Sequence, residues 1–296
     1  MKFDYRLFLV ILAFLVSTSM FSVSMAGDFA IYSGPTNPGW ISDGAVEEIV
    51  KTVTKHAGVK AMFDNINNYG DGDEVGDKSP LGKWLTSHTN NGQTDVVFTA
   101  CGTCPSSFYQ FPNKDPDGSN IENFIEAGNV HINVADWIYY MSYEGGVRSA
   151  DNGGAGAANV FDIPGLSFGN RGSDFQPTAE GKKYIPSLKN FDSTRPWHME
   201  QFKGTPWKLV AFAVDKGDKN SADPVVAIST EDGKDGTGMI AAMWQKDAPV
   251  WAGKPDPRGI GVAEFMVNWL QENATFAVNP KEKMSTTWGY VKARRK

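Results

Sequence analysis

The chain has 296 residues, 41% of them hydrophobic, 21% charged and 12% aromatic, and a formal charge of −6. That length carries one large α/β domain or two small ones, and one is expected here. The acidic balance argues against a general affinity for nucleic acid or anionic membrane, so neither is an expected partner.

Residues 1–26 read as a secretory signal. Lys2 and Arg6 form a basic start, Leu7 to Val16 an apolar core, and Ser24-Met25-Ala26 a small-residue cleavage site before Gly27. The apolar run is short for a bilayer span, although an uncleaved anchor is the competing reading. The expectation is a secreted or periplasmic protein with no stable membrane span after signal cleavage. Loss of Lys2, Asp4 and Arg6 would leave a charge of −7.

Phe29 to Tyr32 is an apolar run before Ser33-Gly34-Pro35, the pattern of a buried parallel strand. A helix should follow, capped by Ser42 or Asp43, with Val46, Ile49, Val50 and Val53 on one face and Gly58 as its stop. Val59 to Phe63 reads as a second strand and Asn67 to Lys78 as an exposed polar loop. Leu81 to Ser87 is a short helix leading into a strand over Asp95 to Ala100. Asp117 or Ser119 caps a helix over Asn120 to Ala127, and Gly128 ends it before the strand Val130 to Ala135. Alternating strand and helix predicts an α/β fold with a mainly parallel sheet covered on both faces.

Gly145 to Asn159 reads as a long glycine-rich loop without periodicity, a length uncommon unless functional or mobile. Strands follow at Trp207 to Val214, Pro224 to Ile228 and Met239 to Trp244, with a turn near Gly233 to Gly238. The last helix, Gly261 to Glu272, spaces Val262, Phe265, Met266, Trp269 and Leu270 on one face. The expected organisation is a signal at 1–26, one domain over 27–275 and a tail at 276–296. The tail's basic end, Lys292 to Lys296, reads as solvated rather than as a docking site.

Three stretches carry a family resemblance: the opening strand with its Gly-Pro loop, the segment IENFIEAGNVHINVAD, and the late block DPVVAISTEDGKDGTGMIAAMWQ. Their order resembles the class I glutamine amidotransferase-like fold, especially its ThuA-like branch. The resemblance spans most of residues 28–272 and implies a flavodoxin-like, mainly parallel sheet. Catalytic members place a cysteine in a G-x-C-x-G elbow after the strand matching Val130 to Ala135. Here that place reads Val134-Ala135-Asp136-Trp137-Ile138, with no thiol. His198-Met199-Glu200 superficially matches the family's His-x-Glu pair but precedes the DPVVAIST block, so the usual triad is not expected.

Cys101 and Cys104 are the only cysteines. In an exported chain they read first as a local disulfide or an incidental pair, and second as a thiol-disulfide redox site of the CGxC kind. Pro105 directly after Cys104 and the missing partner strand argue against redox catalysis, and the absence of a following histidine against haem attachment.

Asp136 ends a buried strand where α/β sheets open into their ligand crevice. It reads equally as a general base, metal ligand or hydroxyl-binding carboxylate, or as an aspartate capping the next turn. The loop after the first strand should reach the same edge with Asn37 and Trp40, beside Trp137. Four histidines show no ligand spacing, and His131 reads as a core residue. Asp71 to Gly76 starts like a calcium loop but lacks its later ligands, and Gly153 to Gly156 lacks a Walker lysine. No metal or cofactor is therefore expected.

Nine tryptophans invite a sugar-stacking reading. Trp84, Trp244 and Trp269 sit in core patterns, whereas Trp40, Trp137 and Trp251 adjoin loops. Asn273-Ala-Thr275 is a glycosylation sequon in a eukaryotic secretory route alone. The leading expectation is a small polar ligand, a carbohydrate first among classes, bound by Asn37, Trp40, Asp136 and Trp137 under the Gly145 to Asn159 loop. The alternatives are a hydrolase or sugar-modifying enzyme using Asp136, and a redox protein using Cys101 and Cys104.

Overall fold

A computed structural model describes residues 27–70, 76–109, 118–140, 142–144, 147–149, 153–169, 172–230, 238–247 and 255–274. The expected signal (1–26), the acidic stretch 71–75, residues 231–237 of the expected turn, Trp251 and the expected tail (276–296) lie outside the described residues.

The opening strand, β1 (Gly27–Tyr32), is almost wholly buried, as its apolar run requires. Helix α1 (Asp43–Lys55) follows, its first turn closed by Ala45 N donating to the Ser42 hydroxyl at 3.3 Å. Val46, Ile49 and Val53 form its buried stripe. The second strand departs from the sequence expectation. Ala57–Met62 is a short helix, α2, with Val59 and Met62 buried one turn apart, and strand β2 begins only at Phe63 and runs to Asn68. The polar run FDNINN hides this strand because β2 lies at the edge of the sheet, where four of its six residues are exposed to water.

Helix α3 (Pro80–His88) is capped by Ser79, and α4 (Asn120–Glu126) by a reciprocal box between Ser119 and Glu122. Between them lie β3 (Val96–Thr99) and a two-residue strand, β4 (Cys104–Pro105). Strand β5 (Val130–Val134) is buried along its whole length. The supposed loop at Gly145 to Asn159 is corrected: β6 (Ser142–Glu144) and β7 (Val147–Ser149) pair antiparallel, and Gly153–Val160 is helix α5. Ala157 and Val160 bury their side chains in the core, so tertiary packing holds a helix that glycines weaken intrinsically.

Beyond it come β8 (Gly172–Pro177), α6 (Ala179–Tyr184), β9 (Phe191–Ser193) and β10 (Trp197–His198). The expected strand over Trp207 to Val214 is two strands, β11 (Trp207–Ala211) and β12 (Ala213–Asp215), which break at Phe212 and enter different sheets. The last strands are β13 (Ser221–Ala222), β14 (Val225–Ser229) and β15 (Met239–Met243). The final helix starts earlier than its apolar spacing suggests. α7 (Pro257–Glu264) is capped by Asp256 and passes into a π-helical stretch, Phe265–Leu270.

The main sheet has seven strands in the order β11-β14-β15-β5-β3-β1-β2. From β2 to β15 every pairing is parallel; β14 alone runs against these strands, and β11, antiparallel to β14 at the edge, runs with them again. Helix α1 packs with α7, where a β-carbon on Gly259 would lie 3.1 Å from the Ile49 Cα, while α3 packs with α4 through Trp84 and Phe124. The protein is therefore an α/β fold with a mostly parallel sheet.

A second, antiparallel sheet of five strands, β10-β13-β12-β8-β9, is not anticipated by the sequence. Trp197 anchors it, stacked between Phe168 (5.2 Å) and Phe202 (5.4 Å). A buried aromatic of this kind removes about 150–250 Å² from water, worth on the order of 4–6 kcal/mol. The second sheet joins the main one at the end of β15, where Thr194 N donates to Gln245 O at 3.0 Å. Among the described residues no helix is long and apolar enough to cross a membrane.

Candidate functional site

In this sheet β1 leads to β2 on one side and has β3 on the other, so the order in which strands are added reverses between β1 and β3. Loops leaving the carboxyl ends at such a point diverge and open a crevice. The two loops are tied across the gap: Ala100 N donates to Tyr32 O at 2.9 Å, and the Thr103 hydroxyl to Pro35 O at 2.8 Å.

Asn37 and Asp136 meet at this edge. The Asn37 side-chain amide donates to Asp136 Oδ2 at 2.8 Å, and both residues are buried. Asp136 Oδ1 accepts the backbone N–H of Trp137 at 2.7 Å, and the Asn133 amide holds Asp136 O at 2.9 Å. Asp136 thus clamps the β1 loop to the turn after β5, the capping role combined with a cross-loop tie. Ala135, immediately before it, has φ +69°, a left-handed conformation that costs a non-glycine residue about 1 kcal/mol or more. The sharp elbow after β5 is therefore Ala135, whose methyl group supplies no nucleophile.

Trp40 and Trp137 converge on a residue the sequence did not single out. The Arg195 guanidinium lies 4.4 Å from the Trp137 ring centre and 5.5 Å from that of Trp40. All three are half-buried. Arg195 Nη1 also donates to Thr194 O at 3.0 Å. The Trp137 indole N–H is enclosed and meets no acceptor among the described residues. Arg195 follows β9 in the second sheet, so no local spacing relates it to Trp40 or Trp137; only the docking of the two sheets does.

Below the elbow runs a buried polar chain. Tyr139 OH lies 2.7 Å from His131 Nδ1, His131 Nε2 lies 3.1 Å from the Thr99 hydroxyl, and Thr99 donates to Asn133 Oδ1 at 2.5 Å. Burial pushes the His131 pKa down to about 3, so the imidazole is neutral. It is the core histidine the apolar strand suggested, and burial also raises Tyr139 well above a free phenol.

At the end of β15, the Ser193 hydroxyl and Gln245 N donate to Asp223 Oδ2 at 2.6 and 2.8 Å. Asp223 Oδ1 and Gln245 Oε1 are enclosed and meet no donor among the described residues. Burial raises the Asp223 pKa to about 7 against the opposing pull of these hydrogen bonds and of Arg258. Close by in sequence, Lys246 is buried and reaches Asp192 (2.7 Å) and Asp247 (3.1 Å), fixing the second sheet to this edge.

Cys101 and Cys104 are both buried and carry thiols, not a disulfide. Cys101 Sγ lies 3.1 Å from the Thr103 hydroxyl, and Cys104 Sγ points at Pro105 O at 3.7 Å. His198 places Nε2 2.7 Å from Gly169 O and Nδ1 4.0 Å from Glu200, on the second sheet. Among the described residues no group of three or more His, Cys, Asp or Glu could hold a metal ion.

A groove of about 790 Å³ lies on the other flank of the β1 loop, between Ser33–Thr36, the outer face of α1 and the end of β2. It is lined by none of Asn37, Trp40, Asp136 and Trp137. No protein-family model matches the chain, and no curated protein sequence matches it.

Proposed function

We propose that the chain is an exported protein of the amidotransferase-like fold, in its ThuA-like branch, that binds a small polar ligand of the carbohydrate class without hydrolysing glutamine. The five strands that pair side by side in parallel, β2-β1-β3-β5-β15, lie as 2-1-3-4-5 when numbered among themselves in chain order, an order like that of flavodoxin-like sheets, which bind ligands at the switch point between the first and third strands. The observation that carries the reading is the convergence of Trp40 and Trp137 on Arg195 at that edge. Indole faces suit the C–H faces of sugar rings, and a guanidinium suits their hydroxyl rims. Asp136 serves here as the positioning residue for the two loops, because both its oxygens accept protein N–H groups.

Titration calorimetry with mono- and oligosaccharides tests the reading. Trp40→Ala and Trp137→Ala should each weaken sugar binding about tenfold, or about 1.4 kcal/mol, with circular dichroism unchanged. Absence of sugar binding at millimolar concentration, or affinity untouched by both substitutions, would overturn it. Sugar turnover that disappears in Asp136→Asn while binding persists would replace it with the hydrolase reading. Thiol-disulfide exchange is not favoured, since it needs an accessible thiolate and both sulfurs are buried.

A further inference from the structure

Helix α1 presents an ordered row of charge to the groove beside the β1 loop. Asp43 and Glu47 line it from the first two turns of the helix and Lys51 and Lys55 from the last two, with half-buried Val50 between them and Pro35 also in the lining. All four charged side chains are exposed, and no ion pair joins Glu47, Lys51 or Lys55 to another described residue. At 1.5 Å rise per residue, the midpoints of the acidic and basic pairs lie about 12 Å apart along the helix. The helix dipole accounts for Asp43 at the first turn and Lys55 at the last. It does not account for Glu47 and Lys51 in the middle, nor for an open groove of about 790 Å³ along the same face.

We propose that this groove binds a short zwitterionic peptide, its ammonium group at Asp43 and Glu47 and its carboxylate at Lys51 and Lys55. An extended chain advances at most about 3.3–3.6 Å per residue, so a tripeptide separates its terminal charges by about 10 Å. The flexible lysine stems close the remaining gap. The volume lies within the about 300–1,000 Å³ typical of small-ligand sites. Val50 and Pro35, both half-buried, offer small side chains an apolar floor. On the opposite wall, Asn68 accepts from Ser33 Oγ (3.0 Å) and Gly70 N (2.9 Å) through Oδ1, which leaves its amide N–H groups for a ligand carbonyl. The site lies at the carboxyl ends of β1 and β2 and is independent of the carbohydrate reading.

Calorimetry on the full chain with tri-alanine as probe tests this, alongside N-acetylated tri-alanine and tri-alanine amide. Tri-alanine should bind, and blocking either end should weaken it at least tenfold. Glu47→Lys should remove binding of the amide-capped probe as well as the parent, and Lys51→Glu with Lys55→Glu that of the acetylated one. These side chains are exposed, so the folded state should be retained, with circular dichroism as the check. Sugar binding at Trp40 and Trp137 should not change in these variants. No heat with tri-alanine at millimolar concentration, or capped probes within twofold of the parent, would overturn the proposal whatever the outcome with sugars.

Discussion

Replacing Asp223 by asparagine should stabilise the folded chain by about 4 kcal/mol at pH 8 and change it little at pH 4. The folded-state pKa is raised from 3.8 to about 7 by burial. Between those values the folded protein holds a proton that the unfolded chain has released. Stability from this group is therefore fully present below pH 3.8, declines as pH rises, and is lost above about pH 7. Protonated, Asp223 avoids carrying a buried charge on Oδ1, an oxygen that meets no donor among the described residues. An asparagine amide supplies a donor permanently while its oxygen keeps the bonds from Ser193 and Gln245 N.

His131 acts in the opposite direction. Its folded pKa of about 3 lies below the ordinary 6.5, so the unfolded chain takes up a proton in that interval and the folded one does not. Its stability contribution is complete above pH 6.5 and falls by about 5 kcal/mol as pH drops to 3. Over roughly pH 4 to 6.5 the two slopes oppose each other and nearly cancel. Asp223→Asn should then expose the His131 slope, stability rising with pH where the unaltered protein is flat. Urea unfolding at half-unit pH steps reads both, and a stability difference that does not grow between pH 4 and 8 refutes the account.

The second large effect is expected at Gly102. Its φ is +76°, and an added β-carbon would lie 2.5 Å from Val134 O and 2.6 Å from Asp136 N. Both are backbone atoms of β5 and its elbow, so no side-chain rotation relieves the contact. Gly102→Ala should cost about 3–5 kcal/mol and lower Tm by about 6–20 °C. By pushing the β3 loop off the elbow it should also loosen the Asn37–Asp136 clamp and weaken any ligand held by Trp40 and Trp137. A Tm within about 2 °C of the parent would show that the loops part without strain.

Much of the architecture was legible because its signals are local. The buried runs Phe29–Tyr32, Val96–Thr99, Val130–Val134 and Met239–Met243 each carry their apolar pattern in consecutive residues. The caps at Ser42 and Ser119, each one of two neighbouring candidates, lie next to the helices they start, whereas the cap at Ser79 went unread. Strand β2 escaped because an edge strand needs no apolar run, and α5 because glycines conceal a helix that packing sustains.

For the site, the sequence by itself determined that Asn37, Trp40, Asp136 and Trp137 follow strand ends, and strand ends of a parallel sheet share one edge. Tertiary structure decided what those residues do there. It engaged both oxygens of Asp136 with Asn37 and the Trp137 N–H, put the left-handed elbow at Ala135, and brought Arg195 from a second sheet against both indoles. Chain order records which residues follow a strand, but the distance between Arg195 and Trp40 depends on how two sheets dock, which no local periodicity encodes.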